Sequence, residues 1–160
     1  VVKALGVPHV MVFERKPNGG GMPDAAARQG VISIGGEYGG MGNVSQRGVT
    51  LVEQSVSRLL AYFGVTGTLP IDLPEPQVMH IFGPKAYVYA PEPGLFEPAT
   101  ELGDHVRSGD LCGHVLFPDN PIRTPIPVTF EAEGDVVCKR HPGRVERGDC
   151  VAHLAAPLST

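Results

Sequence analysis

An internal repeat in the second half of the chain most constrains what it can fold into. Gly94-Leu-Phe, Val106-x-x-Gly109-Asp110 and His114-Val115 recur as Gly134-Asp-Val, Val145-x-x-Gly148-Asp149 and His153-Leu154. The offset is about 40 residues, within the range of periods that mark repeated supersecondary units. Each copy reads as a glycine-opened apolar strand, a spacer, a Φ-x-x-Gly-Asp turn and a closing strand with a histidine. A unit this small cannot bury a core alone, so the two copies are expected to pair face to face about a pseudo-twofold axis. The 21 glycines and 16 prolines suit a turn-rich β region. Residues 77–82 and 85–90 read as further short strands just ahead of the repeat.

The first half has a different pattern. Residues 1–5 read as the last turn of a helix stopped by Gly6 and Pro8, and residues 9–13 (HVMVF) as a buried strand. After a loop over residues 14–22, residues 23–29 (PDAAARQ) form a short helix with Pro23 at its first position and Gly30 as its stop. Residues 31–34 supply the next strand, completing the strand–helix–strand unit of an α/β sheet. Val49, Val52, Val56, Leu59, Leu60 and Phe63 then fall on one helical stripe, with Ser45 as N-cap, Gly64 as the C′ glycine and Arg47, Glu53, Gln54 and Arg58 largely off it. The prolines of residues 66–76 (TGTLPIDLPEP) mark a boundary. The expected organisation is an α/β part over residues 1–66, a linker over 67–76 and an all-β domain over 77–160.

One acidic residue stands out in the α/β part. In residues 32–45, ISIGGEYGGMGNVS, an apolar run breaks into glycines and places Glu37 just past the carboxyl end of the expected strand, where open α/β sheets keep their chemistry. A carboxylate in that setting acts as a general base that takes a proton from water. The same residues also suit a surface loop with a solvated glutamate. Gly40-x-Gly42-x-x-Ser45 is a degenerate version of the dinucleotide fingerprint. Against that cofactor stand the acidic Glu37, which would repel a pyrophosphate, and a proline linker in place of the next strand.

A net charge of −4 gives no basic footprint, which argues against nucleic acid and anionic membrane surfaces as partners. No apolar run approaches the roughly 18 residues of a transmembrane helix. Cys112, Cys138 and Cys150 form no C-x-x-C pair or disulfide framework, which fits a reducing cytoplasm. They read as small apolar packing residues with no base beside them. None of the six histidines forms H-x-x-E or H-x-x-x-H. His105, His114, His141 and His153 fall in the β half, the second and last at equivalent repeat positions that suit a structural role, and His9 and His80 read as packed or solvated.

The repeated Gly-Asp hairpins resemble the barrel-sandwich hybrid of biotinyl and lipoyl carrier domains. Those carriers present a modified lysine between the two halves, and here that connection, FPDNPIRTPIPV over residues 117–128, has none. A swinging-arm carrier is therefore not expected. The order of parts, with the E-x-G-G-x-G segment from Glu37 to Gly42, a capped helix, then YVYAPEPGLFEP and Gly-Asp hairpins, resembles the C-terminal half of the succinylglutamate desuccinylase/aspartoacylase family. That family belongs among zinc carboxypeptidase-like hydrolases.

The resemblance implies an α/β part followed by an all-β part: the end of a zinc-carboxypeptidase-like sheet, then a barrel-sandwich β domain. It implies a zinc-dependent amidohydrolase that deacylates an N-acylated amino acid or similar small amide. Glu37 matches the family's catalytic glutamate, and the loop around Gly39, Gly40 and Asn43 would meet the substrate. The family's zinc ligands, an H-x-x-E pair and a later histidine, have no match here and are expected upstream of Val1, so that one zinc ion would be held by residues outside this chain. The partners expected are a small-molecule N-acyl substrate and, through the β domain, further copies in a homo-oligomer. From a different class, a non-catalytic binding or assembly module with a lipoyl-like β fold would use the repeat itself as its surface.

Overall fold

A computed structural model describes residues 1–13, 20–68, 73 and 75–158. Most of the expected 14–22 loop and the centre of the 67–76 linker lie outside the described residues. The chain divides into two compact units, Val1–Val10 with Arg15–Gln77, and Met11–Glu14 with Val78–Thr160.

In the first unit, local chemistry places the helix ends. A 3-10 turn over Val2–Leu5 stops at Gly6, whose φ of 64° only glycine adopts at little cost. Helix α1 spans Met22–Arg28 and helix α2 Gln46–Tyr62, and strand β1 (His9–Val12) has its first two residues in this unit and its last two in the other. Both helices close in the same way. Gly30 N–H donates to Ala27 O (3.1 Å) and Val31 N–H to Ala26 O (2.9 Å), while Gly64 N–H donates to Ala61 O (3.0 Å) and Val65 N–H to Leu60 O (2.8 Å). These are the paired bonds of the Schellman motif. Ser45 caps α2 as expected, its Oγ accepting the Gly48 N–H at 3.0 Å.

Two expectations for this unit are corrected. Residues 31–34 form no strand, and Val31, Ile32 and Ile34 are exposed. A strand exists only through ladder bonds to a neighbour, and among the described residues none runs alongside. The α2 stripe is also largely uncovered, with Val49, Val56, Leu60 and Phe63 all exposed. The helix instead packs on the first turn through polar groups: Ser55, 1% exposed, donates from Oγ to Leu5 O (3.2 Å), and Arg58 Nη1 donates to Leu5 O (3.1 Å) and Gly6 O (3.4 Å). Arg58, expected off the apolar stripe, therefore ties two elements together.

In the second unit, strands β2 (Gln77–His80), β3 (Tyr87–Tyr89), β4 (Gly94–Pro98), β5 (His105–Val106) and β6 (Leu111–Leu116) are followed by β7 (Ile126–Thr129), β8 (Gly134–Lys139), β9 (Arg144–Val145) and β10 (Cys150–Pro157). One sheet runs β7-β6-β4-β9. The other runs β1-β2-β10-β8-β5, with β3 also on β10. The repeat explains the arrangement and begins one strand earlier than its sequence signature, with β3-β4-β5-β6 matching β7-β8-β9-β10. The copies interlock by exchanging short strands: Val145 of the second pairs with Gly94 of the first, and Val106 of the first pairs with Gly134 of the second. Equivalent positions fill one core, with Phe96 matching Val136, Val106 matching Val145, Cys112 matching Val151 and Val115 matching Leu154, all buried.

The Gly-Asp turns fasten this core. Gly109 N–H donates to Phe130 O (2.8 Å) and Phe130 N–H to Asp110 O (3.0 Å); Gly148 N–H donates to Ala90 O (2.9 Å) and Ala90 N–H to Asp149 O (2.8 Å). A third turn does the same around Val136, with Gly103 N–H to Val136 O (2.8 Å) and Val136 N–H to Asp104 O (2.9 Å). Its symmetry mate has no Gly-Asp, yet Phe96 N–H still donates to Gly143 O at 2.7 Å.

The expected pseudo-twofold pairing is present, but the described residues form no closed barrel. β5 and β9 are two residues long and each bonds a single neighbour, so neither carries a ladder from one sheet to the other. The architecture is mostly β with two helices. β1 is the terminal strand of its sheet, next to β2.

Candidate active site

Glu37 lies outside any helix or strand and is exposed. What fixes its place is the backbone on either side. The Tyr38 ring folds back over Gly36, where a Cβ would sit 2.5 Å from ring atom Cε2. On the other side, the Tyr38 carbonyl oxygen rests against the α-carbon of Gly48, in the first turn of α2, so closely that a side chain there would overlap it. Gly48 is buried, and its N–H is the group that Ser45 caps. The segment beginning at Glu37 is thus seated on the N-terminus of α2 through Tyr38.

The chain then makes a tight turn. Asn43 N–H donates to Gly40 O at 3.0 Å, and Met41 (φ 59°) and Gly42 (φ 69°) both adopt positive φ, the mark of a type I′ turn. Met41 is the one described residue other than glycine with positive φ. Beside the turn lies an open cavity of about 230 Å³ walled by Tyr38, Gly39, Asn43, Val44, Ser45, Gly48, Val49 and Val52. Of the loop residues expected to meet substrate, Gly39 and Asn43 line this cavity and Gly40 does not. Its walls combine the polar Asn43 and Ser45 with three valines, a setting for a small ligand with an apolar part and a hydrogen-bonding group.

Glu37 is exposed and does not itself line this cavity, whose nearest wall in sequence is Tyr38. A catalytic zinc centre needs three protein ligands with a fourth position left open. Among the described residues no three His, Cys, Asp or Glu side chains converge in that way. The described donor set therefore does not fit zinc.

The histidines and cysteines lie elsewhere. Tyr87 and His153 stack with ring centroids 4.0 Å apart; burial pushes the His153 pKa down, and its Nε2 has no hydrogen-bond partner among the described residues. His114, at the equivalent position, is half-buried opposite Glu97 and Pro127. His80 packs edge-on to Phe82, and His9 and His141 are exposed. Nδ1 of His105 lies 2.7 Å from Asp135 Oδ1 and Nε2 lies 3.3 Å from Glu133 Oε1. Burial, and then the nearby charge of Cys150, pushes the Cys112 thiol up to about 11. Among the described residues no helix is long and apolar enough to cross a membrane.

Sequence reasoning missed Gly48. The available signal was a glycine in the first turn of an otherwise well-formed helix, where alanine has the higher helix propensity.

The chain is 30% identical over 156 residues to N-alpha-acetyl-L-2,4-diaminobutyric acid deacetylase of Halomonas elongata, an alignment covering 96% of this chain and 45% of that protein. Its fold matches the crystal structure of a succinylglutamate desuccinylase/aspartoacylase from Rhodobacter sphaeroides with a TM-score of 0.86 and 31% identity, over 99% of this chain and 48% of that one. These likenesses support the succinylglutamate desuccinylase/aspartoacylase family. The product-bound ectoine utilization protein EutE (DoeB) from Ruegeria pomeroyi matches with a TM-score of 0.85 and 26% identity, over 96% of this chain and 47% of that one. The chain spans about half the length of the curated relative it matches. No family model matches it.

Proposed function

We propose that this chain forms part of an amidohydrolase that removes the acyl group from an N-acylated amino acid, with Glu37 as the proton-transfer residue. The observation that carries the proposal is the position of Glu37: an exposed residue on a glycine loop seated on α2, directly before Tyr38, which lines a small cavity that Glu37 itself does not line. Support comes from similarity to an N-acetyl amino acid deacetylase over almost the whole chain.

In this reading Glu37 takes a proton from the water that attacks the amide carbonyl and returns it to the departing amine. The amide and one water thus become a carboxylic acid and a free amine. A flanking glycine loop suits that role because the carboxylate must reach both the water and the leaving nitrogen. The reading includes one zinc ion, held by side chains other than the described ones; bound, it would supply Lewis acidity at the carbonyl. It also includes a cytoplasmic location and a small N-acyl substrate.

The test is Glu37→Gln in the full-length protein, assayed against a panel of N-acetyl and N-succinyl amino acids with metal content measured in parallel. Amide hydrolysis by the parent and its loss of at least a hundredfold in the variant, with metal content unchanged, is the expected result. Near-parental turnover by the variant removes Glu37 from the chemistry. A parent inactive against the whole panel and free of metal favours a binding or assembly module instead.

A further inference from the structure

We propose that Gly48 is a positioning residue for Glu37, an inference that rests on the proton-transfer role proposed for that carboxylate. Gly48 is buried in the first turn of α2 and its α-carbon carries the carbonyl oxygen of Tyr38, the residue that follows Glu37. A methyl group at this position would meet that oxygen inside contact distance and would stand 3.0 Å from Ser45 Oγ.

What opposes the methyl group decides the consequence. At Gly36 an added Cβ meets the far end of the Tyr38 side chain, which can swing aside. At Gly48 it meets backbone, and a carbonyl moves only by dragging its peptide plane. That plane joins Tyr38 to Gly39 and pivots on the Tyr38 α-carbon, so shifting it turns the backbone at the residue bonded to Glu37. The helix cannot yield instead, because the Gly48 N–H is bound to the Ser45 cap and α2 is tied to the first turn of the chain by Ser55 and Arg58. Glycine at this place in a helix runs against propensity, and the contact with Tyr38 gives the reason.

The distinguishing readout is the split between kcat and KM. Misplacing a catalytic group by about 1 Å lowers turnover on the order of a hundredfold without weakening ground-state binding. Gly48→Ala in the full-length protein should therefore lose roughly tenfold to a hundredfold in kcat with KM within about twofold of the parent. Gly64→Ala, at the far end of α2 and away from the loop, controls for general loss of stability and should keep the parental kcat. Should Gly48→Ala fail to fold, Arg58→Ala loosens α2 from the first turn of the chain without touching the cavity wall and should lower kcat by a smaller factor, again with KM held.

Parental kcat in a folded Gly48→Ala variant, or in Arg58→Ala where the former does not fold, overturns the proposal. A raised KM with unchanged kcat also overturns it, and makes Gly48 a wall of the cavity only. Glu37→Gln run alongside separates the two failures: if it abolishes turnover while Gly48→Ala does not, the role of Glu37 stands and the positioning role falls.

Discussion

Nδ1 of His105 lies 2.7 Å from Oδ1 of Asp135, directly across the pairing that joins the two copies of the repeat. The hydrogen bond to Asp135 first, and that to Glu133 second, raise the His105 pKa above its ordinary 6.5. A pKa raised by folding means that the protonated imidazolium is favoured in the folded state, so the stabilisation is complete below pH 6.5 and fades as pH rises through the raised value. The exposed, solvent-screened setting keeps the effect small. The denaturant midpoint of the parent should fall slightly across that rise relative to His105→Gln, compared pH by pH. Two curves that run parallel would show that the pair contributes nothing.

The three cysteines should react in order of exposure. Cys138 is exposed, Cys150 half-buried and Cys112 only 1% exposed, its thiol held protonated by burial. Since the thiolate is the nucleophile, a maleimide or iodoacetamide should label Cys138 first and leave Cys112 untouched until the β unit unfolds. Mass spectrometry of peptides after timed labelling checks the order. Early labelling of Cys112 would contradict the packing of β6.

The three Gly-Asp turns are alike in backbone and differ in one side-chain contact, which ranks their aspartates. Asp104, Asp110 and Asp149 each accept a backbone N–H through Oδ2, from Glu101 (2.7 Å), Arg107 (2.7 Å) and Glu146 (2.8 Å). Asp149 also pairs with Arg140 at 2.8 Å. Replacing Asp104 or Asp110 by alanine should cost about 1 kcal/mol, the value of one such bond. Asp149→Ala should cost more, by a few tenths of a kcal/mol for the partly exposed ion pair. Thermal melts of the three variants give the ranking.

How much of this was legible from sequence depends on whether the deciding chemistry is local. Ser45, Gly30 and Gly64 mark their helix ends because a cap is settled within a few residues. The repeat was legible because its turn residues recur, but the exchange of β5 and β9 between copies was not, since pairing is settled between residues roughly 30 to 50 positions apart. The third turn, Glu101 to Asp104, escaped the comparison because residues 140–143 of the other copy read RHPG. Residues 31–34 have the composition of a strand but no neighbour to pair with among those described. Glu37 stands out in the sequence by its setting among glycines. Gly48 does not, because its reason lies in a carbonyl ten positions away.

Met41 gives a last prediction, inside the candidate site. Its φ of 59° puts an unbranched side chain in the left-handed region, and 65% of its surface is exposed, so packing does little to offset the strain. Left-handed backbone costs a non-glycine residue roughly 1–2 kcal/mol, while asparagine tolerates it through local hydrogen bonding. Met41→Asn should therefore raise the stability of the first unit by about 1 kcal/mol, read as a higher melting temperature. Strain of this kind persists where structure around it imposes it, and it gathers at functional sites. If the turn's shape rather than the methionine side chain matters for catalysis, Met41→Asn should keep parental kcat and KM while gaining stability. A gain in stability with a loss in turnover would instead assign the Met41 side chain a role in contacting substrate.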